Sequence, residues 1–191
     1  MLFLFFLTGN ILFGFDGFEN KSTIRYIHPS YFDIKEEPVE KFATWKSKPD
    51  VKICNYAPVT VDQVKRALSW WEKLGYKFGY VYRSNCVENA HYGNIVISLA
   101  GQDFDFNRSY GTTNLHYDTS TGVVHWAQIF LPENVRERVL EHEIGHALGW
   151  HHSARTGHIL HPSWQRGGWD STGLRVPTLN LTRSKSALKS P

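Results

Sequence analysis

The chain has 191 residues, of which 41% are hydrophobic and 20% charged, and its formal net charge at pH 7 is +3. This length and balance predict one soluble globular domain with a sizeable core and exclude an intrinsically disordered protein. The charge is too small and too dispersed for a nucleic-acid-binding surface, so no nucleic-acid partner is expected.

Residues 1–15 are almost wholly apolar. The run is too short and too interrupted to span a bilayer, so no stable membrane span is expected, but it suits the apolar core of a secretory signal peptide. No basic residue precedes it and no small-residue cleavage site follows, which leaves an N-terminal strand or a truncated start as the alternatives. We expect a signal peptide over 1–15 and a secreted, extracellular or periplasmic protein.

Residues 16–50 mix aromatics, prolines and charges without a sustained periodicity. The pattern is compatible with an N-terminal extension, a short propeptide or an irregular wrap around the domain. The sequence does not choose among the three.

The first regular elements are a strand at residues 51–54 and a helix behind it. Thr60 and Gln63 form a capping-box pattern, in which each side chain can accept a hydrogen bond from the other residue's main-chain N–H. Apolar residues then recur at helical spacing, and Gly75 supplies a left-handed stop. The sequence therefore predicts a helix that ends at Gly75.

Further strands are predicted at 78–82, 95–99, 112–117 and 123–131 from their content of β-forming residues. The segment 112–117 is the most polar of these, which is typical of an edge strand. A second helix is expected to begin at Pro132, whose missing N–H costs nothing in a first turn, and to end near Leu148. This order predicts an α/β (α+β) fold with helices packed on a mixed sheet.

The chain has two cysteines, Cys54 and Cys86. If the first two strands are parallel neighbours joined by a right-handed crossover, both cysteines lie at C-terminal strand ends and could approach to disulfide distance. In an exported chain such a pair favours a disulfide, whereas in the cytosol two buried thiols would be the commoner state.

The segment 142–152 has the spacing of a metal site. Residues four apart share one helix face, so His142 and His146 can point two imidazoles at one ion. Glu143 then lies beside the ion as a candidate general base. Gly149 allows the chain to leave the helix, and three residues later His152 can supply a third ligand.

Three imidazoles with an open fourth position suit one catalytic Zn²⁺, since structural zinc sites are usually closed by four ligands. Zinc lowers the pKa of its bound water to about 7, and Glu143 would accept the proton. The alternative is that these histidines are satisfied on an ordinary amphipathic helix. The apolar residues Val135, Val139, Leu140 and Leu148 are expected in the core.

This segment resembles the long zinc-binding motif of the metzincin metallopeptidases, His-Glu-x-x-His-x-x-Gly-x-x-His, and within them the matrixin branch. The likeness extends upstream through Tyr110-Gly111-Thr112 and Phe130-Leu131-Pro132. It implies a mixed five-stranded twisted sheet with an antiparallel edge strand, and two long helices, one with the zinc motif. It also implies an upper catalytic subdomain at 51–152 and a small irregular C-terminal subdomain and tail at 153–191.

In that family an extended substrate pairs with the sheet edge, which corresponds here to Thr112, Thr113, Asn114 and Leu115. The resemblance therefore implies a zinc-dependent endopeptidase that cleaves protein or peptide substrates through a zinc-bound water activated by Glu143. Two alternatives remain: a zinc-binding pseudoenzyme or interaction module, and a zinc hydrolase restricted to cell-wall peptides. Specificity, activation and oligomeric state cannot be inferred from the sequence.

The sequence departs from the family in the turn that follows the third histidine. Leu160 occupies the position of the methionine beneath the metal, and since leucine is apolar and similar in volume, the hydrophobic floor is expected to survive. Pro162 stands where astacin-like relatives have a tyrosine, so no tyrosine switch is expected. The matrixin cysteine that blocks zinc in the zymogen is not recognisable in residues 16–50.

The remaining candidate ligands are assigned lesser roles. His151 is expected to be displaced by His152 as the ligand, His116 to have an edge-strand role, and His158 and His161 to flank the turn. Carboxylates could bind calcium, although ordinary turn positions are the favoured interpretation; the candidates are Asp103, Asp105 and Asp118.

Overall fold

The computed structural model describes residues 24–25, 39–86, 92–101 and 110–176. The predicted signal peptide at 1–15, most of the segment 16–38, the calcium candidates Asp103 and Asp105, and the tail after residue 176 lie outside the described residues. The described part is a mixed α/β fold with one sheet and two helices. None of its helices has the length and apolar character needed to cross a membrane.

The strands are β1 (Ile24–Arg25), β2 (Thr44–Trp45), β3 (Asp50–Cys54), β4 (Val81–Ser84), β5 (Asn94–Leu99), β6 (Thr112–Tyr117) and β7 (Val123–Leu131). The helices are α1 (Val61–Glu72) and α2 (Val139–Ala147). The sheet contains mostly parallel strands in the order β1-β6-β7-β5-β3-β4, with β2 paired to β7. Parallel pairing joins β3 to β4, β3 to β5, β5 to β7 and β2 to β7, whereas β6 is antiparallel to both β7 and β1.

The prediction of five strands with 112–117 as an antiparallel edge was wrong in detail. The sheet has seven strands within the described residues, and β6 is not its edge because β1 pairs with it, Ile24 opposite Leu115 and Arg25 opposite Asn114. Without the two-residue strand β1, β6 would be the edge of the described sheet, as its polar composition indicated. Strands of two residues, such as β1 and β2, carry no alternation that a sequence pattern could reveal.

Helix α1 forms as the sequence predicts. Thr60 accepts a hydrogen bond from the Gln63 N–H, and the Gln63 side chain accepts one from the Thr60 N–H, so the capping box is complete. The helix buries one face, on which Trp71 is fully enclosed. The chain then turns at Gly75, whose φ is 98°.

Helix α2 begins later than predicted, at Val139 instead of Pro132. Residues 133–138 form bends and turns, and Arg138 has a left-handed φ of 69°, which an L-residue adopts at some cost and which cannot continue into a right-handed helix. The indole N–H of Trp71 donates to the main-chain oxygen of Glu141 at 2.9 Å. This bond ties α2 to α1 at the level of the histidine motif.

The core lies in the middle of the sheet and between the sheet and the helices. In β3 and β5 consecutive residues are buried, so both faces of these strands are covered, as is usual for parallel sheets. The largest fully enclosed side chains include Trp71, Ile53, Ile95, Ile97, Ile129, Leu131, Ile144 and Leu160. Helix α2, which carries the histidine motif, therefore packs against a well-filled core.

Residues 39–45, which we call the N-terminal strap, are part of the fold. The strap lies along the chain that leaves α2: Phe42 N–H donates to the Gly149 oxygen at 2.9 Å, and His151 N–H donates to the Glu40 oxygen at 3.0 Å. Within the segment 16–50, these residues therefore pack against the chain that follows α2.

Cys54 and Cys86 form a disulfide, with their Cα atoms 5.2 Å apart. Cys54 is the last residue of β3, and Cys86 lies two residues beyond the end of the parallel neighbour β4. The bond thus closes a loop of the chain that contains α1.

Candidate metal centre

Three histidines come together at the end of α2. His142 and His146 lie on the helix, and His152 lies on the chain that follows it. The Nε2 atom of His146 is 3.0 Å from Nε2 of His142 and 3.2 Å from Nε2 of His152. The three residues predicted as metal ligands are therefore within metal-binding distance of one another.

Hydrogen bonds at the far side of two rings determine which nitrogen carries the proton. Nδ1 of His142 lies 2.8 Å from the main-chain oxygen of Ile159, and Nδ1 of His146 lies 2.8 Å from that of Trp150. A carbonyl oxygen can only accept, so each Nδ1 must be the donor and each neutral ring has a bare lone pair on Nε2. Two Nε2 lone pairs 3.0 Å apart repel each other, and a metal ion or a proton between them removes this repulsion.

The donor set fits a divalent transition metal. In a tetrahedral site with metal–nitrogen bonds of about 2.0–2.1 Å, neighbouring ligand nitrogens are separated by roughly 3.3 Å. The observed 3.0 and 3.2 Å separations are close to this value. Within the described part of the chain the group consists of these three imidazoles.

Gly149 turns the chain toward the third histidine. Its φ is 90°, in the region that favours glycine, and a Cβ at this position would overlap the main-chain oxygen of Ala43 in the strap. The side chain of Trp45 also donates from its indole nitrogen to the Ala147 oxygen at 2.8 Å. The strap therefore fixes the exit from α2 and with it the approach of His152.

A turn that contains Leu160 lies beneath the histidines. Leu160 is fully enclosed, and a Cβ built on Gly145 would lie 2.5 Å from its Cδ2 atom and 2.8 Å from Cζ2 of Trp71. Gly145 thus allows Leu160 to pack closely on α2 between the two helical histidines. The preceding residue, Ile159, accepts the hydrogen bond from His142, whereas Pro162 is half-buried and makes no comparable contact among those described.

Glu143 is buried with its side chain turned toward β6. Only 4% of the residue is exposed, and its Oε2 atom accepts a hydrogen bond from the Thr113 hydroxyl at 2.7 Å. Burial raises the pKa of Glu143 to about 7, and the hydrogen bond from Thr113 acts in the opposite direction. The carboxyl group is therefore set to exchange a proton near neutral pH.

The predicted substrate strand divides its residues between two faces. Thr113 and Leu115 are buried, whereas Thr112 and Asn114 are half-buried on the other face of β6. The main chain of Asn114 and Leu115 is paired with β1. Of these four residues, only Thr113 touches Glu143 among the contacts described.

The other histidines have structural partners. The ring of His151 stacks on Phe42 with the centroids 4.2 Å apart, and His116 stacks on Trp126 at 3.4 Å. Nδ1 of His158 accepts the Leu160 N–H, and Nδ1 of His161 accepts the Ser163 N–H, each at 3.0 Å. None of these four belongs to the three-histidine group.

Asp118 behaves as a turn residue, since its Oδ1 accepts hydrogen bonds from the Ser120 N–H at 2.8 Å and the Ser120 hydroxyl at 2.6 Å. The sequence reasoning missed the support given by the strap and by Gly111, where a Cβ would lie 2.9 Å from Glu143 Oε1. No sequence signal marked the contact of Gly111 with Glu143, because a glycine before a strand is common. None marked the strap, because the residues there show no periodicity.

Comparisons with protein-family models and with curated proteins found no match to this chain. The convergence of three histidines, with a buried glutamate on the same helix, is therefore the observation from which its chemistry must be inferred.

Proposed function

We propose that the protein is a zinc-dependent endopeptidase of the matrixin-like metzincin type. The observation that carries the proposal is the convergence of His142, His146 and His152, and the hydrogen bonds from Nδ1 of His142 and His146 to main-chain oxygens support Nε2 as the metal-binding atom of both rings. Glu143, next in sequence to the first ligand and buried, supplies the second requirement of a hydrolytic site, a carboxyl group that can exchange protons near pH 7.

Zinc is the metal we infer, because three neutral imidazoles with an open position are its usual catalytic ligand set. When bound, it supplies Lewis-acid chemistry that polarises a carbonyl and makes water more acidic. The histidines hold the ion. Their Nδ1–H bonds to the main-chain oxygens of Ile159 and Trp150 keep the rings oriented and increase the basicity of Nε2.

The protein side chains would perform the proton transfers of peptide hydrolysis. Glu143 accepts a proton from the attacking water and delivers it to the amine that leaves, so one carboxyl group serves as base and then as acid. Burial favours this role, because it keeps the group's pKa near the pH at which it must both take and release a proton.

An extended substrate would bind by main-chain pairing with β6, which carries Thr113 toward Glu143. Pairing of this kind holds many sequences in one register, as an endopeptidase requires. Since β1 pairs with Asn114 and Leu115, a substrate that uses these two residues must displace Ile24–Arg25.

Export belongs to the same proposal. The disulfide between Cys54 and Cys86 is of a kind that persists in oxidising compartments and is rare in the cytosol. Together with the apolar start of the chain, it supports an extracellular or periplasmic location.

The test combines zinc content and hydrolysis of a casein-derived peptide in the wild type and in Glu143→Gln. We expect about one zinc per chain in both and a loss of turnover of at least about 100-fold in the variant. Zinc in both with hydrolysis of peptidoglycan fragments alone would favour a cell-wall hydrolase, and zinc without any hydrolysis a binding module. A wild type that takes up no zinc after supplementation would contradict the proposal.

A further inference from the structure

The carboxyl group of Glu143 is enclosed on the side that faces β6. The Thr113 hydroxyl lies 2.7 Å from Oε2 and 3.1 Å from the main-chain oxygen of the same glutamate. Just before β6, a Cβ at Gly111 would lie 2.9 Å from both Cγ and Oε1 of Glu143. The start of β6 therefore accommodates this carboxyl group: Thr113 donates a hydrogen bond to it, and the missing side chain of Gly111 leaves space for it.

Thr113 is placed for this contact by the alternation of β6. Its side chain is 3% exposed and faces inward, whereas its neighbours along the strand, Thr112 and Asn114, are on the other face. The hydroxyl is the polar group that the described contacts bring to the Glu143 side chain. Without it, a buried carboxylate would lose a hydrogen bond in a place from which water is largely excluded.

One hydroxyl can serve both forms that a proton-transferring glutamate adopts in each cycle. When Glu143 is ionised, Thr113 donates its proton to Oε2. When Glu143 carries a proton, the carboxyl group can donate to Oγ1, and Thr113 can turn its own proton to the main-chain oxygen 3.1 Å away. No heavy atom needs to move between these arrangements, so the carboxyl group keeps its orientation throughout.

We propose that Thr113 is a positioning residue for Glu143, whose hydroxyl holds the carboxyl group in the orientation required for proton transfer during peptide hydrolysis. The inference rests on the proposed function and adds a side-chain hydroxyl that acts through Glu143, separately from any main-chain pairing of β6 with substrate. Because it acts after the substrate is bound, its loss should lower kcat and leave KM nearly unchanged.

The experiment compares Thr113→Val, Thr113→Ser and the wild type in steady-state hydrolysis of a casein-derived peptide, with zinc content measured in each. Valine keeps the shape and removes the hydroxyl, so we expect kcat to fall about 10- to 100-fold with about one zinc per chain retained. Serine keeps the hydroxyl and should recover most of kcat. Thr113→Ala serves as a second hydroxyl-free variant if valine prevents folding.

Thr172→Val is the matched control. The Thr172 hydroxyl donates to Oδ1 of Asp170 at 2.7 Å, the same distance and the same pair of groups as Thr113 and Glu143 but on an exposed turn. We expect its kcat to equal that of the wild type. An equal loss of kcat in this control and in Thr113→Val would overturn the proposal, because the loss would then not be specific to Glu143.

A double-mutant cycle adds a readout that does not depend on activity. In the protein treated with a chelator, the thermal unfolding midpoints of Thr113→Val, Glu143→Gln and the double variant should be non-additive, because both single changes alter one contact. Additive midpoints, or an active wild type with kcat unchanged in Thr113→Val, would overturn the positioning role alone. A wild type that hydrolyses no peptide would refute the proposed function itself, and this inference with it.

Discussion

Nε2 of His142 lies 3.0 Å from Nε2 of His146, and Nδ1 of each ring lies 2.8 Å from a main-chain oxygen. When both rings are neutral, the two Nε2 lone pairs face and repel each other, and a metal ion or a proton between them removes this repulsion. If a metal ion binds here, as we propose, the stability of the fold should depend on it.

The first prediction is that metal stabilises the fold through His152 and not through its neighbour His151. Zinc at about 1,000 times its dissociation constant should stabilise the wild type by about 4 kcal/mol, measured by chemical unfolding with and without a chelator. His151→Gln should keep this response, because the His151 ring stacks on Phe42 and lies outside the ligand group. His152→Gln should lose most of it. Equal responses in the two variants would mean that the third ligand is misassigned.

The second prediction concerns the pH dependence of the metal-free protein. Burial raises the pKa of Glu143 from 4.5 to about 7. Between these values the unfolded chain has lost the proton that the folded protein still binds, so stability falls as the pH rises. Glu143→Gln removes this cost and should stabilise the protein by about 3 kcal/mol above pH 7.

Below pH 4.5 the glutamate is protonated in both states, and the two proteins should be about equally stable. Urea unfolding at pH 4 and pH 8, with a chelator present, tests this difference. A variant that gains the same stability at both pH values would show that the charge of Glu143 is not the cause.

The third prediction separates two glycines with similar backbone angles. Gly149 and Gly157 have φ values of 90° and 86°. A Cβ on Gly149 would overlap the oxygen of Ala43, whereas one on Gly157 would meet nothing within 4 Å. Gly157→Ala should therefore cost only the left-handed conformation, about 1–2 kcal/mol, and Gly149→Ala more than about 4 kcal/mol. Chemical unfolding measures the loss of stability in both variants. Equal losses would mean that the strap can move away from a side chain at position 149 at little cost.

The fourth prediction concerns the pairing of β1 with Asn114 and Leu115. If substrate uses the same strand edge, β1 competes with it. A chain that begins at residue 39 keeps the strap and lacks β1, so its KM for a casein-derived peptide should fall. One main-chain hydrogen bond contributes about 1 kcal/mol, which corresponds to about fivefold in KM. An unchanged KM would place substrate binding elsewhere or show that β1 does not compete.

The sequence predicted the elements that have a period or a fixed spacing. Helix α1 was predictable from its capping box and from Gly75, because these signals act within a few residues. The three-histidine cluster was predictable for the same reason, since helical geometry brings His142 and His146 to one side. Strand boundaries agreed best in β6 and β7, at 112–117 and 123–131, which the turn at 118–122 separates.

The parts that could not be predicted depend on contacts between distant segments. Helix α2 begins at Val139 because Arg138 adopts a left-handed conformation, and no local pattern distinguishes this from a helix that begins at Pro132. The contact between Thr113 and Glu143 spans 30 residues and depends on which strand lies beside α2. Sequence spacing could single out Glu143, but it could not single out Thr113 as the hydrogen-bond partner of its side chain.

The N-terminal strap limits how this protein could be trimmed. A protease that shortens the chain from its N-terminus can proceed to residue 38 without touching the bonds from the strap to Gly149 and His151. A cut only a few residues further would release the segment that bears the third histidine from its support. The first residue of a shortened chain therefore determines whether the segment that leads to His152 keeps these two bonds.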